Sequence, residues 1–222
     1  MKKIVVLTGA GISAESGIST FRDANGLWEN HDIMEVASLE GWRKNPELVL
    51  NFYNQRRKQL KEVKPNSAHY FLKDLEKKYK VVIITQNVDN LHEMAGSSNV
   101  LHLHGELLRA RSVENENLAV DWTEDIHLGD LAEDGAQLRP HIVWFGEMVP
   151  MMERAIDEVS DADIMLVIGT SLQVYPAASL IDYMERGKPI YVIDPNSVSV
   201  PNNPNIKVIQ KKATEGILEL NL

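Results

Sequence analysis

Among residues whose types and spacing could do chemistry, the first are glycines. Gly9-Ala10-Gly11, with Ala14 as a third small residue, closes the apolar run Ile4-Val5-Val6-Leu7 and opens a small-residue helix that begins through Ile12. A glycine turn between strand and helix aims backbone N–H groups and a helix N-terminus at one spot, which suits a pyrophosphate. The same residues would also serve as a glycine-bearing turn with no ligand. The next stretch of chain departs from a dehydrogenase, which has a second strand and a ribose-binding acid about 20 residues further on. Here that region reads Ser16-Gly17-Ile18-Ser19-Thr20-Phe21-Arg22-Asp23, then Gly26-Leu27-Trp28, a loop with an aromatic and an arginine. The pattern points to a dinucleotide held under a long loop and not to hydride transfer.

Polar groups close other apolar runs in the same way. Gln86-Asn87-Val88-Asp89 follows Thr85, His104-Gly105 follows Leu103, Gly169-Thr170-Ser171 follows Ile168, and Asp194-Pro195-Asn196 follows Ile193. Singly each has a structural explanation. Asp89 could cap a short helix, His104 could be a hydrogen-bonded core histidine, and Gly169-Thr170-Ser171 could be a tight turn. Together they converge on one crevice, provided the runs before them are neighbouring parallel strands.

The elements that must position them can be read from periodicity and punctuation. Ile4–Leu7, Tyr79–Thr85, Val100–His104, Leu138–Phe145, Ala162–Thr170, Lys188–Asp194 and Ile206–Gln210 read as strands, the first and fifth buried on both faces. Helices are expected over Pro46–Glu62, Asn66–Tyr79, Pro150–Val159, Pro176–Arg186 (closed by Gly187) and Ala213–Leu220. Strands alternating with helices predict an α/β fold with a mostly parallel sheet covered on both faces, its ligand crevice beyond the carboxyl ends of the strands. Ser112–Gly135 is acidic and polar and reads as a small inserted module. The expected division is a large part over about 1–25, 80–105 and 138–222, and small-domain segments over about 26–79 and 106–137.

Composition narrows the function classes. The chain has 222 residues, 44% hydrophobic and 25% charged, enough for a full core. Its net charge of −9, without a long Lys/Arg stretch, argues against nucleic acid and for a protein partner carrying lysines. The absence of cysteine excludes disulfides, thiolate zinc sites and a cysteine nucleophile. With too short an apolar run for a signal peptide or membrane span, the expectation is a cytoplasmic protein.

The stretches GAGISAESGISTFRD, TQNVDNLH, LHLHGE, LRPHIVWFGE and GTSLQVYPAA, in this order, resemble the sirtuins, the NAD-dependent protein-lysine deacylase family, from about Lys3 to Ala213. The resemblance implies a Rossmann-like large domain, a smaller domain, and NAD as a consumed co-substrate. It places the pyrophosphate at Gly9, Ala10, Gly11 and Ile12, and Phe21 and Arg22 on a loop over the nicotinamide side. It places the ribose and nicotinamide pocket at Gln86, Asn87 and Asp89. Gly169, Thr170 and Ser171 would contact the dinucleotide, and Asn196 and Ala213 its adenosine end. Val143-Trp144-Phe145-Gly146-Glu147 resembles the stretch that receives the acyl-lysine peptide by strand pairing, with Val143, Phe145 and Gly146 in contact. In the family a ribose hydroxyl must lose a proton to attack an alkylamidate, work suited to a neutral imidazole. His104, matching the signature, is the expected base; His102 is its competitor.

Two departures stand out. Most sirtuins carry zinc-binding cysteines in the small domain, whereas here Ser112 falls where the first would lie, Asn115 where the next would be, and no cysteine follows. No metal is expected, since His127 and scattered carboxylates lack zinc-like spacing, and packing of Trp122, Leu118 and Ile126 must hold the module. On Pro46–Glu62, Val49, Phe52, Tyr53, Arg56 and Leu60 share one helical face. The arginine could snorkel to water. Yet Tyr53-x-x-Arg56 also resembles the pair that marks sirtuins acting on succinyl- and malonyl-lysine, and a hydroxyl with a guanidinium fork suits a carboxylate. The expectation is removal of acidic acyl groups, with acetyl also taken. Protein mono-ADP-ribosyl transfer and a non-catalytic NAD or ADP-ribose sensor are the alternatives.

Overall fold

The computed structural model describes residues 1–19, 27–28 and 31–222. In chain order, β1 (Lys3–Thr8) and α1 (Ala10–Ala14) are followed by the short strands β2 (Leu27–Trp28) and β3 (His31–Asp32). Four helices come next: α2 (Ile33–Val36), α3 (Leu39–Lys44), α4 (Pro46–Leu60) and α5 (Ser67–Leu75). The middle of the chain holds β4 (Lys80–Thr85), α6 (Leu91–Met94), β5 (Val100–His102), β6 (Gly105–Ser112), β7 (Ala119–Asp121) and β8 (Leu138–Ile142). Last come α7 (Met152–Ser160), β9 (Ile164–Ile168), a 3₁₀ helix Ala177–Tyr183, β10 (Ile190–Ile193), β11 (Ile206–Ile209) and α8 (Ala213–Gly216).

The continuously apolar runs assemble into a six-stranded sheet in the order β11-β10-β9-β1-β4-β5, every neighbouring pair parallel. All six residues of β1 and all five of β9 are buried, as strands covered on both faces must be. Alternation divides their side chains between two cores. Val5, Leu7, Met165 and Val167 pack with α7 and the 3₁₀ helix, through Ala155, Val159, Leu180 and Ile181. Ile4, Val6, Leu166 and Ile168 pack with Ile12, Leu72 and Ala213 of α1, α5 and α8. The chain begins mid-sheet, builds outward to β5, then crosses back to β9, so strand order reverses between β1 and β9. At such a reversal the crevice opens beyond the strand carboxyl ends.

The second sheet is antiparallel, β7-β6-β8. Leu138–Ile142, expected to resume the main pattern, pairs instead with Gly105–Ser112. Its buried Leu138, Arg139, Pro140 and Ile142 read like a main-sheet run because one short strand buries nearly every position. Ala177–Tyr183 is a 3₁₀ helix and not an α-helix, and it ends before Gly187, which serves a separate turn at φ 89° with Lys188 N–H on Glu185 O. β5 stops at His102, and His104 lies in the bend beyond it.

No cysteine closes the small sheet. Ser112 Oγ donates to Asp134 Oδ2 at 2.7 Å and accepts the Glu114 and Asn115 N–H groups at 3.0 and 3.3 Å. Asn54 of α4 grips the Ile126 backbone twice, at 2.9 Å each way. Beneath lie Leu50, Ala110, Ile126 and Leu138, flanked by Trp42 and Trp122. Of the expected packing residues, Ile126 and Trp122 take part, while Leu118 turns the β6–β7 connection through its backbone.

Candidate active site

At the reversal point the turns after β1 and β9 touch backbone to backbone. Gly9 N–H donates to Ile168 O at 3.1 Å and Gly11 N–H to Gly169 O at 2.9 Å. A Cβ on Gly9 would lie 2.7 Å from Gly169 O, and one on Gly11 2.6 Å from Gly169 Cα. Gly169 itself has φ 66°, a conformation glycine adopts without a Cβ penalty. The resulting shelf is mostly main chain, with Thr170 Cβ 2.8 Å from where a Gly9 Cβ would lie, and it is the kind of close backbone approach that dinucleotide-binding turns use. Ala10 opens α1 beside it. Thr170 is buried, its Oγ1 accepting Gln86 Nε2–H at 3.1 Å, and Ser171 is half-buried at the rim.

β4 delivers the polar side wall. Asn87 is buried and held on every side: its N–H donates to Thr85 Oγ1 at 3.0 Å, and its Nδ2 donates to Gly9 O and Ser13 Oγ at 3.2 Å each. Ser13 Oγ in turn donates to Asp89 Oδ2 at 3.0 Å, while Asp89 Oδ1 accepts Leu91 N–H at 3.1 Å. Burial raises the Asp89 carboxyl, opposed by the Leu91 and Ser13 hydrogen bonds. Behind this wall, His92 Nε2 meets Thr8 Oγ1 at 3.0 Å and Thr8 Oγ1 donates to Thr85 Oγ1 at 2.9 Å. Burial, with His69 and His102 nearby, keeps His92 well below the usual histidine range.

The two histidines flanking Leu103 are set apart by their partners. His104 Nδ1 donates to Gln86 O at 3.1 Å, because a carbonyl only accepts. That fixes the tautomer with the Nε2 lone pair available. Burial lowers its pKa against the pull of the Gln86 carbonyl, so the ring is neutral near pH 7. His102 has both nitrogens engaged, Nδ1 on Asn87 O at 3.1 Å and Nε2 on Glu93 Oε1 at 2.8 Å. Neither nitrogen is left for a substrate hydroxyl.

On the small-sheet side, Val143 N–H donates to His104 O at 2.9 Å and Phe145 N–H to Ala37 O at 2.8 Å, so this segment is itself bound between His104 and the residue that ends α2. Phe145 and Gly146 (φ 91°) are exposed. Trp144 turns inward, its Nε1–H donating to Tyr53 Oη at 3.0 Å, and Tyr53 is fully buried. Burial holds the Tyr53 phenol well above its usual range, despite the Trp144 hydrogen bond. Half-buried Arg56 lines a cavity of about 50 Å³ with Ile18, Trp28, Gln59, Val88 and Asp89, its guanidinium carbon 5.3 Å from the Phe52 ring.

The other expected ligand contacts stand as follows. The Ile12 side chain is buried in the core and its N–H turns to Gly9 O at 3.1 Å. Ala213, also buried, packs into the same core. Asn196 is exposed beyond β10, its N–H on Asp194 Oδ1 at 2.9 Å. Phe21 and Arg22 lie outside the described residues. Sequence reasoning missed Ser13, a hydroxyl on the buried face of α1, and the Thr8–Thr85 pair, concealed inside apolar runs. It also missed Arg57, the fully buried arginine of α4, which donates to Leu107 O and Asn54 Oδ1 at 3.0 and 2.7 Å. Burial lowers the Arg57 pKa to about 10. Among the described residues no cluster of three or more His, Asp or Glu could hold a metal ion, and no helix is long and apolar enough to cross a membrane.

Comparison with known proteins agrees with this geometry. A Helicobacter pylori protein named NAD-dependent protein deacylase is 59% identical over 220 residues, 99% of this chain and 96% of that one. A Bacteroides thetaiotaomicron protein of the same name is 54% identical, over 99% of this chain and 97% of its own. The crystal structure of a Sir2 homolog–NAD complex superposes with a TM-score of 0.87 at 41% identity, covering 96% of this chain and 86% of that one. A Sir2 protein bound to acetylated peptide superposes at 0.79 with 30% identity, covering 96% and 89%. With the Sir2 family model matching residues 9–176, from the first glycine of the shelf past the Gly169 turn, the chain belongs to the Sir2 family.

Proposed function

We propose that the protein is an NAD-dependent protein-lysine deacylase that prefers succinyl and malonyl groups and also accepts acetyl. Gly9, Gly11, Gly169 and Thr170 would hold the dinucleotide's phosphates, and Gln86, Asn87 and Asp89 its ribose and nicotinamide side. NAD when bound supplies an electrophilic ribose carbon and nicotinamide as leaving group. His104 Nε2 then accepts a proton from a hydroxyl brought within hydrogen-bond reach, and its Nδ1–H on Gln86 O stabilises the imidazolium that forms. The exposed Phe145–Gly146 backbone would receive the peptide.

The acyl preference rests on one observation: Arg56 reaches a largely apolar cavity that also touches Val88 and Asp89, just behind Asn87. Tyr53, one turn away, is fully buried with its Oη on Trp144 Nε1–H and is not among the residues lining that cavity, so the reading stands on Arg56. The test compares acetyl-, malonyl- and succinyl-lysine on one peptide sequence, with free lysine and O-acyl-ADP-ribose followed by mass spectrometry. Removing one partner of a desolvated charge pair costs about 2–5 kcal/mol. Arg56→Met is therefore expected to lower desuccinylation about 30-fold or more while deacetylation changes little. An unmoved ratio refutes the acidic-acyl preference. His104→Ala is expected to lose about 10²–10⁴ in rate on every acyl peptide, and an active His104→Ala refutes the base.

A further inference from the structure

His102 is tied at both ends to groups that can only accept. The Asn87 carbonyl has no proton to give, and Glu93, with 41% of its side chain in water, stands there as a carboxylate. A neutral imidazole has one N–H and one lone pair, and a lone pair facing either acceptor would be repelled. Both ring nitrogens therefore carry protons. The side chain itself is only 9% exposed, so the charge is held by these partners and not by solvent. Its other charged or titratable neighbours are Asp89, Glu106 and His92.

We propose that His102 is a cationic positioning residue: braced by Glu93, its imidazolium fixes the Asn87 main chain, and the reaction requires His102 charged while His104 is neutral. The device acts through Asn87, whose side chain ties the Gly9 turn to Ser13, and it rests on the reading that Asn87 belongs to the dinucleotide site. Burial pulls His102 down, but the Glu93 hydrogen bond and charge outweigh it, with Asn87 and Glu106 adding to them, and its pKa is raised. His104 is shifted the other way. Opposite shifts on neighbouring groups separate their protonation states over a window of pH. Bracing is complete below the ordinary histidine value of 6.5 and is lost as pH rises through the raised value. His104 sets the acid limb of the rate profile and His102 the alkaline limb.

The test is kcat/KM for NAD against pH at saturating acyl-peptide, for wild type, Glu93→Gln and His102→Gln, with ¹⁵N NMR of the imidazoles in the wild type. The NMR needs no variant to fold. At pH 6.5 most of the His102 population is expected at imidazolium shifts on both nitrogens, and most of the His104 population as the neutral Nδ1–H tautomer. Glu93→Gln is expected to move the alkaline limb to lower pH. His102→Gln is expected to abolish that limb and to lower kcat/KM on the order of tenfold. A merely structural His102 would change the rate without moving the limb. A neutral His102 in the spectrum, or an unmoved limb in Glu93→Gln, overturns the proposal even where His104→Ala is dead and the deacylase reading stands. An active His104→Ala instead refutes the base assignment and leaves the alkaline limb to decide the role of His102.

Discussion

Replacing Glu147 by glutamine tests what shapes the substrate side of the crevice. The carboxylate accepts from Arg139 Nη1 and Nη2 at 2.6 and 3.1 Å, from Arg111 Nη2 at 3.2 and 3.3 Å, and from Trp144 N–H at 2.7 Å. Its side chain is 15% exposed, against 5% for Arg139 and 7% for Arg111. Arg139 also stacks on Trp144, with its guanidinium carbon 3.4 Å from the ring centroid. Glutamine keeps the shape but strips buried Arg139 of its counter-charge, leaves Arg111 with Glu116 at 3.6 Å, and turns amide hydrogens toward one of the guanidiniums. Removing one partner of a buried pair costs about 3–5 kcal/mol. For a chain of this size 1 kcal/mol shifts the melting midpoint by about 2–4 °C, so a fall of about 6–20 °C is expected. Burial would raise the Glu147 carboxyl, but Arg139, Trp144 N–H and Arg111 outweigh it and hold it below its ordinary 4.5. The stability it gives is therefore present above that value and lost as pH falls through the lowered one. Circular-dichroism melts between pH 7 and 3 read both effects. A midpoint within 2 °C of wild type at pH 7, or the same acid dependence in the variant, refutes the reasoning.

Gly11→Ala puts a Cβ 2.6 Å from Gly169 Cα and 2.9 Å from Gly169 O, both main chain and unable to swing aside. A stability loss of about 1–3 kcal/mol is expected, together with loss of the midpoint shift that NAD gives the wild type; an undiminished NAD shift refutes the shelf. Stripping with EDTA is expected to leave the melting midpoint and rate unchanged, and elemental analysis to find no stoichiometric zinc. One tightly held equivalent refutes a hydrogen-bonded closure, since such a metal would contribute directly to folding.

The main sheet was legible because strands buried on both faces leave continuous apolar runs, and because each run ends in polar residues that the parallel arrangement gathers at one edge. The small sheet was less so. Leu138–Ile142 carries the hydrophobic signal of a main-sheet strand, and only its partner Gly105–Ser112 reveals where it belongs. The face of α4 was read correctly for Val49, Phe52, Tyr53 and Leu60, but the arginine in the deepest position is Arg57. Neighbouring arginines on one helix differ by about 100° in direction, and which of them finds a carbonyl such as Leu107 O depends on a strand distant in sequence. The expectation of His104 over His102 rested on the signature it matches, and the structure adds the partners Gln86, Asn87 and Glu93 around the two rings.

The Ser112–Asp134 closure also determines how the fold meets cellular oxidants. Thiolate clasps fail when peroxide oxidises their sulfur or when zinc is scarce. A hydroxyl on a carboxylate has no sulfur to oxidise and no metal to surrender, so neither condition opens the β7-β6-β8 sheet. The exposed sulfurs among the described residues are thioethers, and one of them, Met148, is 87% exposed just past the Val143–Glu147 turn. Its oxidation to sulfoxide is reversible and leaves the sheet shut.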